Sequence, residues 1–309
     1  MEFRSQQEWG WLLATWLFLS GSGSGLFLLF GGFDLPFVFA LLSLATIILG
    51  GVVLLLELGS PLRAWRGVSR LGTSWLSRGA LSVMVFVFCG ALFIAPAFGS
   101  FSWLPWDKGS AIAGALGWIA GLCALMISLY PGFFLAKNRS IPFWNTALLP
   151  VISFGFALLG AGGMVLLGSA YLGGQLQRIV YLADILIVAN FLLVGVHLFS
   201  MQRAGGAAQE SVRLLNRAPL SWIFRIGVVL VGMILPLLVL LVFPAGLALA
   251  GAGMLVGSFL FRYCVLKVGV YVPAAVVPAG MDLSGLKRTS AELQREYAAM
   301  AAQYARVRG

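Results

Sequence analysis

Residues 36–70 read PFVFALLSLATIILGGVVLLLELGSPLRAWRGVSR. From Pro36 to Leu58 the single ionisable side chain is Glu57, and Arg63, Arg66 and Arg70 follow in the next turn. An apolar run of this length, closed by a basic turn, matches a helix of about 20 residues that crosses lipid. The rest of the chain repeats the pattern. Apolar runs fall at 11–31, 36–58, 78–98, 111–135, 145–170, 178–201, 222–244 and 247–270. Turn signals separate them: Gly31-Gly32 with Asp34-Leu35-Pro36, then Pro105-Trp106-Asp107, Gly173-Gly174 and Pro244.

Composition agrees. Of 309 residues, 61% are hydrophobic and 10% charged, with a mean hydropathy of +0.99, where a soluble domain carries roughly a quarter charged residues. A water-soluble body this apolar would expose large sticky patches. The expected fold is therefore all-α and integral to the membrane, about eight transmembrane helices arranged as two four-helix bundles. The 39 glycines suit helices that pack closely in lipid. The membrane domain covers 1–271, and 272–309 forms a cytoplasmic tail: a Pro/Gly-containing linker, then a short charged helix at 289–306 opened by Ser290-Ala291-Glu292. The first run has neither a basic start nor a cleavage pattern, so it is expected to stay as a span.

The net charge of +10 does not indicate nucleic acid, because the basic residues sit in short turns between apolar runs. Of the 20 Lys and Arg, Lys108 and Arg178 fall on one side, and Arg262 lies inside the last run. The other seventeen gather on the side of both termini and of the 2–3, 4–5 and 6–7 loops. That bias places this side and both termini in the cytoplasm. Cys89, Cys123 and Cys264 lie far apart in apolar runs, match no metal spacing, and read as small core residues.

Ionisable and polar groups inside a bilayer are costly, so their positions carry information. Glu57, Tyr130, His197, Tyr263 and Lys267 all lie near the ends of even-numbered spans, in one depth band on the basic side. Ser77, Arg78, Trp144, Asn145, Trp222 and Arg225 enter the same band from the odd spans. Together they suggest a polar pocket flanked by aromatic rings. Ordinary roles compete: Trp144, Trp222 and Arg225 read as interface anchors, and Asn190 and His197 as a packing seam. On the opposite side, Asp184 reads as half of a local pair with Arg178, with a proton relay as the second reading. With one histidine the chain lacks the usual pair of axial ligands for a b-type haem, and it shows no cluster-binding cysteines.

Four segments carry a resemblance: Glu57-Leu-Gly-Ser-Pro-Leu-Arg-Ala-Trp65 continuing to Arg78, Tyr130-Pro-Gly-Phe-Phe-Leu-Ala136, Pro142-Phe-Trp-Asn-Thr-Ala-Leu-Leu-Pro150, and Phe261-Arg-Tyr-Cys-Val-Leu-Lys-Val-Gly-Val-Tyr271. They resemble the membrane anchor subunits of dimethyl sulfoxide and polysulfide reductases, the NrfD-like family, from about residue 10 to 275. The resemblance implies an eight-helix subunit of the prokaryotic inner membrane, without haem or iron–sulfur cluster. Such a subunit exchanges electrons with a quinone (menaquinone or ubiquinone). It docks an iron–sulfur subunit, which serves a molybdenum or tungsten catalytic subunit. Glu57 stands where the dimethyl sulfoxide reductase anchors hold His, and would exchange protons with quinol. Tyr130, His197, Tyr263 and Lys267 would hydrogen-bond the head group and Trp75 would stack on it. Arg63, Arg66, Arg70 and Arg78 would face the iron–sulfur partner, and Asp184 would offer a proton path. Gly79 stands where related anchors often have Glu. A secondary transporter and a purely structural anchor remain the competing functions; polar groups gathered at one face, without an evident internal repeat, disfavour transport.

Overall fold

The computed structural model describes residues 4–57, 74–101 and 103–272. Arg63, Arg66, Arg70 and the tail beyond Val272 lie outside the described residues. Eight helices are long and apolar enough to cross a membrane, as the apolar runs predict. They are α1 (Trp11–Phe33), α2 (Val38–Glu57), α3 (Trp75–Ile94), α4 (Ala111–Ala136), α5 (Leu148–Leu167) and α6 (Leu176–Ala204). A short α7 (Gly206–Leu215) precedes α8 (Leu220–Val242) and α9 (Leu247–Lys267). Ser74 and Ser110 cap α3 and α4, each accepting the backbone N–H three residues on, which satisfies an otherwise orphaned donor.

The helices form two groups of four. In the first, α1 to α4 pack in sequence order and close α4 against α1; in the second, α5, α6, α8 and α9 surround a shared interior. Two apolar cores result, one inside the first group and a larger one that fills the second and reaches α1, α2 and α4. Phe27, Ile47, Phe86 and Ile127 fill the first, and Phe156, Ile179, Val228 and Met254 belong to the second. Contacts of α1 with α5 and α9, and of α4 with α5, join the groups.

The run Ser20-Gly-Ser-Gly-Ser-Gly25 of α1 is buried throughout, and each glycine serves a different neighbour. A Cβ on Gly21 would strike the Arg262 guanidinium of α9, and on Gly23 it would lie 2.8 Å from Ile47 of α2. On Gly25 it would lie 2.6 Å from the Ala157 carbonyl of α5. Ser43 of α2 donates to the Gly23 carbonyl at 2.7 Å, so the close approach also carries an interhelical hydrogen bond. The same device joins α9 to α5 at Gly251 and Gly163, and α9 to α8 at Gly257 and Gly232.

Two local features go beyond the hydropathy reading. From Ile223 to Ile234 the turns of α8 are π-helical, with the Leu235 N–H donating five residues back to Leu230. Pro236 follows, and a proline lacks the N–H for the usual bond and crowds the carbonyl four residues earlier; a widened helix relieves both. The expected 6–7 loop contains α7, entered through Gly205 and Gly206, whose positive φ values of 71° and 53° suit glycine. Its buried face is Ala207, Ala208, Ser211, Val212 and Leu215. On its exposed side Glu210 pairs with Arg213 at 3.4 Å and Arg217 at 3.2 Å.

Backbone contact at Gly257 makes a testable contrast. Gly257→Val should lower stability by about 1–3 kcal/mol, the usual cost of overpacking, read as thermal unfolding of the detergent-purified protein. Gly195→Ala, with nothing within 4 Å of its new Cβ, should be neutral or stabilise by up to about 1 kcal/mol.

Candidate functional site

At the end of the bundle that carries most of the basic residues, the N-terminal segment is laid across the mouth of the helices. Ser5 pairs with Val270 in an antiparallel bridge, Gln6 N–H donates to the Gly269 carbonyl at 2.7 Å and Tyr271 N–H to the Arg4 carbonyl at 3.0 Å. The Gln6 side chain is buried and clamps the next turn. Its Oε1 accepts the Trp9 N–H at 3.0 Å, and its Nε2 donates to the Trp9 and Leu266 carbonyls, each at 3.3 Å. Trp9 is thereby held against Trp144, stacked at 5.2 Å and 7°, with Phe134 at 5.7 Å and Tyr130 a further 5.9 Å along. Trp144 is fully buried and donates its indole N–H to the Val265 carbonyl at 2.8 Å. It is a core residue, not the interface anchor its position suggested, because the N-terminal segment covers it. Trp222, 65% exposed, keeps the position of an anchor.

Trp9, Ser74, Trp75, Leu76, Phe134, Lys137 and Asn138 line an open cleft of about 320 Å³ between this segment, the start of α3 and the end of α4. Its walls are indole and phenyl rings; its polar atoms come from Ser74, Lys137 and Asn138. Small-molecule sites are mostly apolar and aromatic with a few placed polar groups, and this open cleft has that kind of lining.

The expected site residues divide among three places. Trp75 lines the cleft, stacked on Phe133 at 4.7 Å with the Arg78 guanidinium 4.9 Å from its ring. Tyr130 lies behind the lining, buried against α3. A Cβ on Gly79 would come within 2.6 Å of its ring, so the ring occupies the space that a longer side chain at 79 would need. His197 is elsewhere, on α6, edge-on to Phe143 at 4.8 Å. It borders a small apolar cavity of about 10 Å³ with Phe261, Cys264, Val265 and Val268. Tyr263 and Lys267, half-buried, fall on the other side of α9 by helical spacing. One shared pocket is thus replaced by a cleft between α3 and α4 and separate groups around α9. Shared depth did not imply shared azimuth.

Glu57 ends α2, half-buried, with Oε2 out of water and unpartnered among the described residues; it does not line the cleft. Asp184 forms no ion pair with Arg178 among the described residues, and its Oδ1 has no partner there. The two are six residues apart on a continuous helix, and helical neighbours are three or four apart. Asn190 packs against Gly155 of α5 and donates to Leu186 at 2.8 Å, the seam expected of it. Cys89 and Cys264 are buried and Cys123 half-buried, all as free thiols. Sequence reasoning missed Trp9, Phe134 and Lys137, although Trp9 lies just before the first apolar run, where an aromatic ring at the basic interface was a readable signal.

Comparison with known proteins decides the family. The profile of "Polysulphide reductase, NrfD" matches residues 2–274. The chain belongs to the NrfD family. It is 28% identical to Protein NrfD of Escherichia coli (strain K12), over 84% of this sequence and 94% of that protein. It is 22% identical to the C polypeptide of the polysulfide reductase of Wolinella succinogenes, over 85% and 92% of the two sequences. It is also 29% identical to the C component of the sulfite dehydrogenase of Allochromatium vinosum, over 43% and 41%. Membership of the NrfD family, with eight apolar helices, makes this a multi-pass membrane subunit associated with an oxidoreductase complex.

Removing the Gln6 clamp should loosen the cleft wall. Gln6→Ala should cost about 1–3 kcal/mol through buried groups left unpaired and open residues 4–9 to limited proteolysis. Gln7→Ala, at an exposed position, should change neither readout.

Proposed function

We propose that the protein is the quinone-reactive membrane subunit of its complex, exchanging electrons between a membrane quinone and a partner iron–sulfur subunit. That partner in turn serves a molybdenum or tungsten catalytic subunit. The observation that carries this reading is the cleft of Trp9, Trp75, Phe134, Lys137 and Asn138. Its size and flat aromatic walls fit a quinone ring, and its Lys and Asn side chains can donate hydrogen bonds to ring oxygens. A bound quinol supplies two electrons and two protons.

The protein's own residues then have distinct tasks. Trp9 and Phe134 present apolar surface to the ring, and Lys137 and Asn138 orient its oxygens. Trp75, held by Phe133 and Arg78, fixes the wall on the α3 side, with Tyr130 bracing it from behind. Glu57 ends α2 at the same membrane level and exchanges protons between the site and the aqueous face. The basic end of the bundle, with Arg63, Arg66, Arg70 and Arg78, is the docking side for the iron–sulfur subunit. By the charge bias this side and both termini are cytoplasmic in a prokaryotic inner membrane. His197, Tyr263, Lys267 and Asp184 lie outside the cleft and receive no role in head-group binding.

The test is turnover of the membrane-purified complex with menaquinol and ubiquinol, beside turnover with an artificial dye that bypasses the quinone. Glu57→Gln should lower quinol-linked turnover on the order of 100-fold, the lower range for loss of an acid–base group, with dye-linked turnover unchanged. Trp9→Ala should raise KM for quinol several-fold with kcat little changed. Equal quinol-linked rates in wild type and both variants would leave a structural anchor as the better reading.

A further inference from the structure

Arg262 lies five residues before the end of α9, and its side chain does not turn back towards the interface. Its guanidinium lies against Gly21, ten residues into α1 and hence about 15 Å along that helix. It is 5% exposed, and its Nε and Nη2 find no hydrogen-bond acceptor. No carboxylate among the described residues lies in ion-pair reach. Guanidinium stays protonated in proteins, so a full positive charge sits inside the spans without a counter-charge among the described residues, where buried charges are ordinarily paired.

The surroundings are rich in donors. Ser258, one turn earlier on the same helix, and Ser22, beside Gly21, are buried hydroxyls without partners. Arg262 also borders a cavity of about 20 Å³ walled by Leu17 of α1, Gly132 of α4, Ser153 of α5 and Val265 of α9. Ser153 spends its hydroxyl on a long 3.3 Å bond to the Ser128 carbonyl, which a stronger acceptor could replace. The space suits one water-sized particle. A water would accept hydrogen bonds but leave the charge unanswered; a small anion does both.

We infer that this cavity is a binding site for one monatomic anion of chloride size, held by the Arg262 N–H groups in a space too small for larger oxyanions. The anion neutralises the charge where α1, α4, α5 and α9 meet, and so joins the two helix groups.

Two measurements on the full-length protein test this. Crystals of the wild-type protein grown in bromide should give an anomalous peak in contact with Arg262. Thermal unfolding in detergent should show a saturable rise of a few degrees with chloride or bromide over gluconate at equal ionic strength, as one-site binding to the folded state requires. Arg262→Gln should abolish that rise. A water-only peak at Arg262, with bromide found at the surface alone, would overturn the inference. So would a Tm that follows ionic strength equally in wild type and Arg262→Gln. The diffraction measurement needs no variant and stands if Arg262→Gln fails to fold.

Discussion

The close approach of α1 to three other helices, through Gly21, Gly23 and Gly25, is the constraint on which the molecule depends. In lipid no hydrophobic force draws one apolar helix to another, so contact must come from packing and polar bonds at short range. Successive glycines two apart turn by about 200° on a helix, which is why one short run can face α9, α2 and α5 in turn. A bulkier residue at any of the three would push a neighbour away and separate the two groups of four. Because α1 is fixed in the middle, the segment before it emerges at the basic end and must cross the mouth of the bundle. That path delivers Trp9 to the cleft and Gln6 to the end of α9.

The spans were legible in the sequence because apolar length alone defines a lipid-crossing helix, and observed ends fall within a few residues of the expected ones. Depth was legible too: Trp75, Tyr130 and Lys267 do lie towards the basic end. The angular position of each side chain was not, because it depends on which neighbour each helix face meets. His197 and Lys267 share a depth with Trp75, but α9 and α6 belong to the other group of helices. Trp144 had the sequence signature of an interface anchor; tertiary cover by residues 4–9 made it core. Gly79 could be read as a missing carboxylate from family comparison, whereas in three dimensions it is the clearance for the Tyr130 ring. The π-helical stretch of α8 had a readable cause in Pro236, but hydropathy carries no information about helix register.

The cleft is built at the basic end of the bundle from elements distant in the sequence. Its walls come from three elements that meet at that level: an N-terminal segment fastened by backbone and Gln6 hydrogen bonds, the capped start of α3, and the end of α4. Aromatic rings in series from Tyr130 through Phe134 and Trp9 to Trp144 make the wall rigid, since each ring is held by the next. In the proposed reading, an aromatic surface with few polar atoms would receive a flat head group without fixing its tail.

The proposed place of the quinone ring, in the cleft beside Trp9 and Trp75, can be read by photolabelling the complex with an azido-quinone and mapping the labelled peptides. Adducts are expected on the peptides that carry Trp9, Trp75 and Lys137, displaced by excess natural quinone. Competable adducts confined to α6 or α9, around His197 or Tyr263, would contradict it.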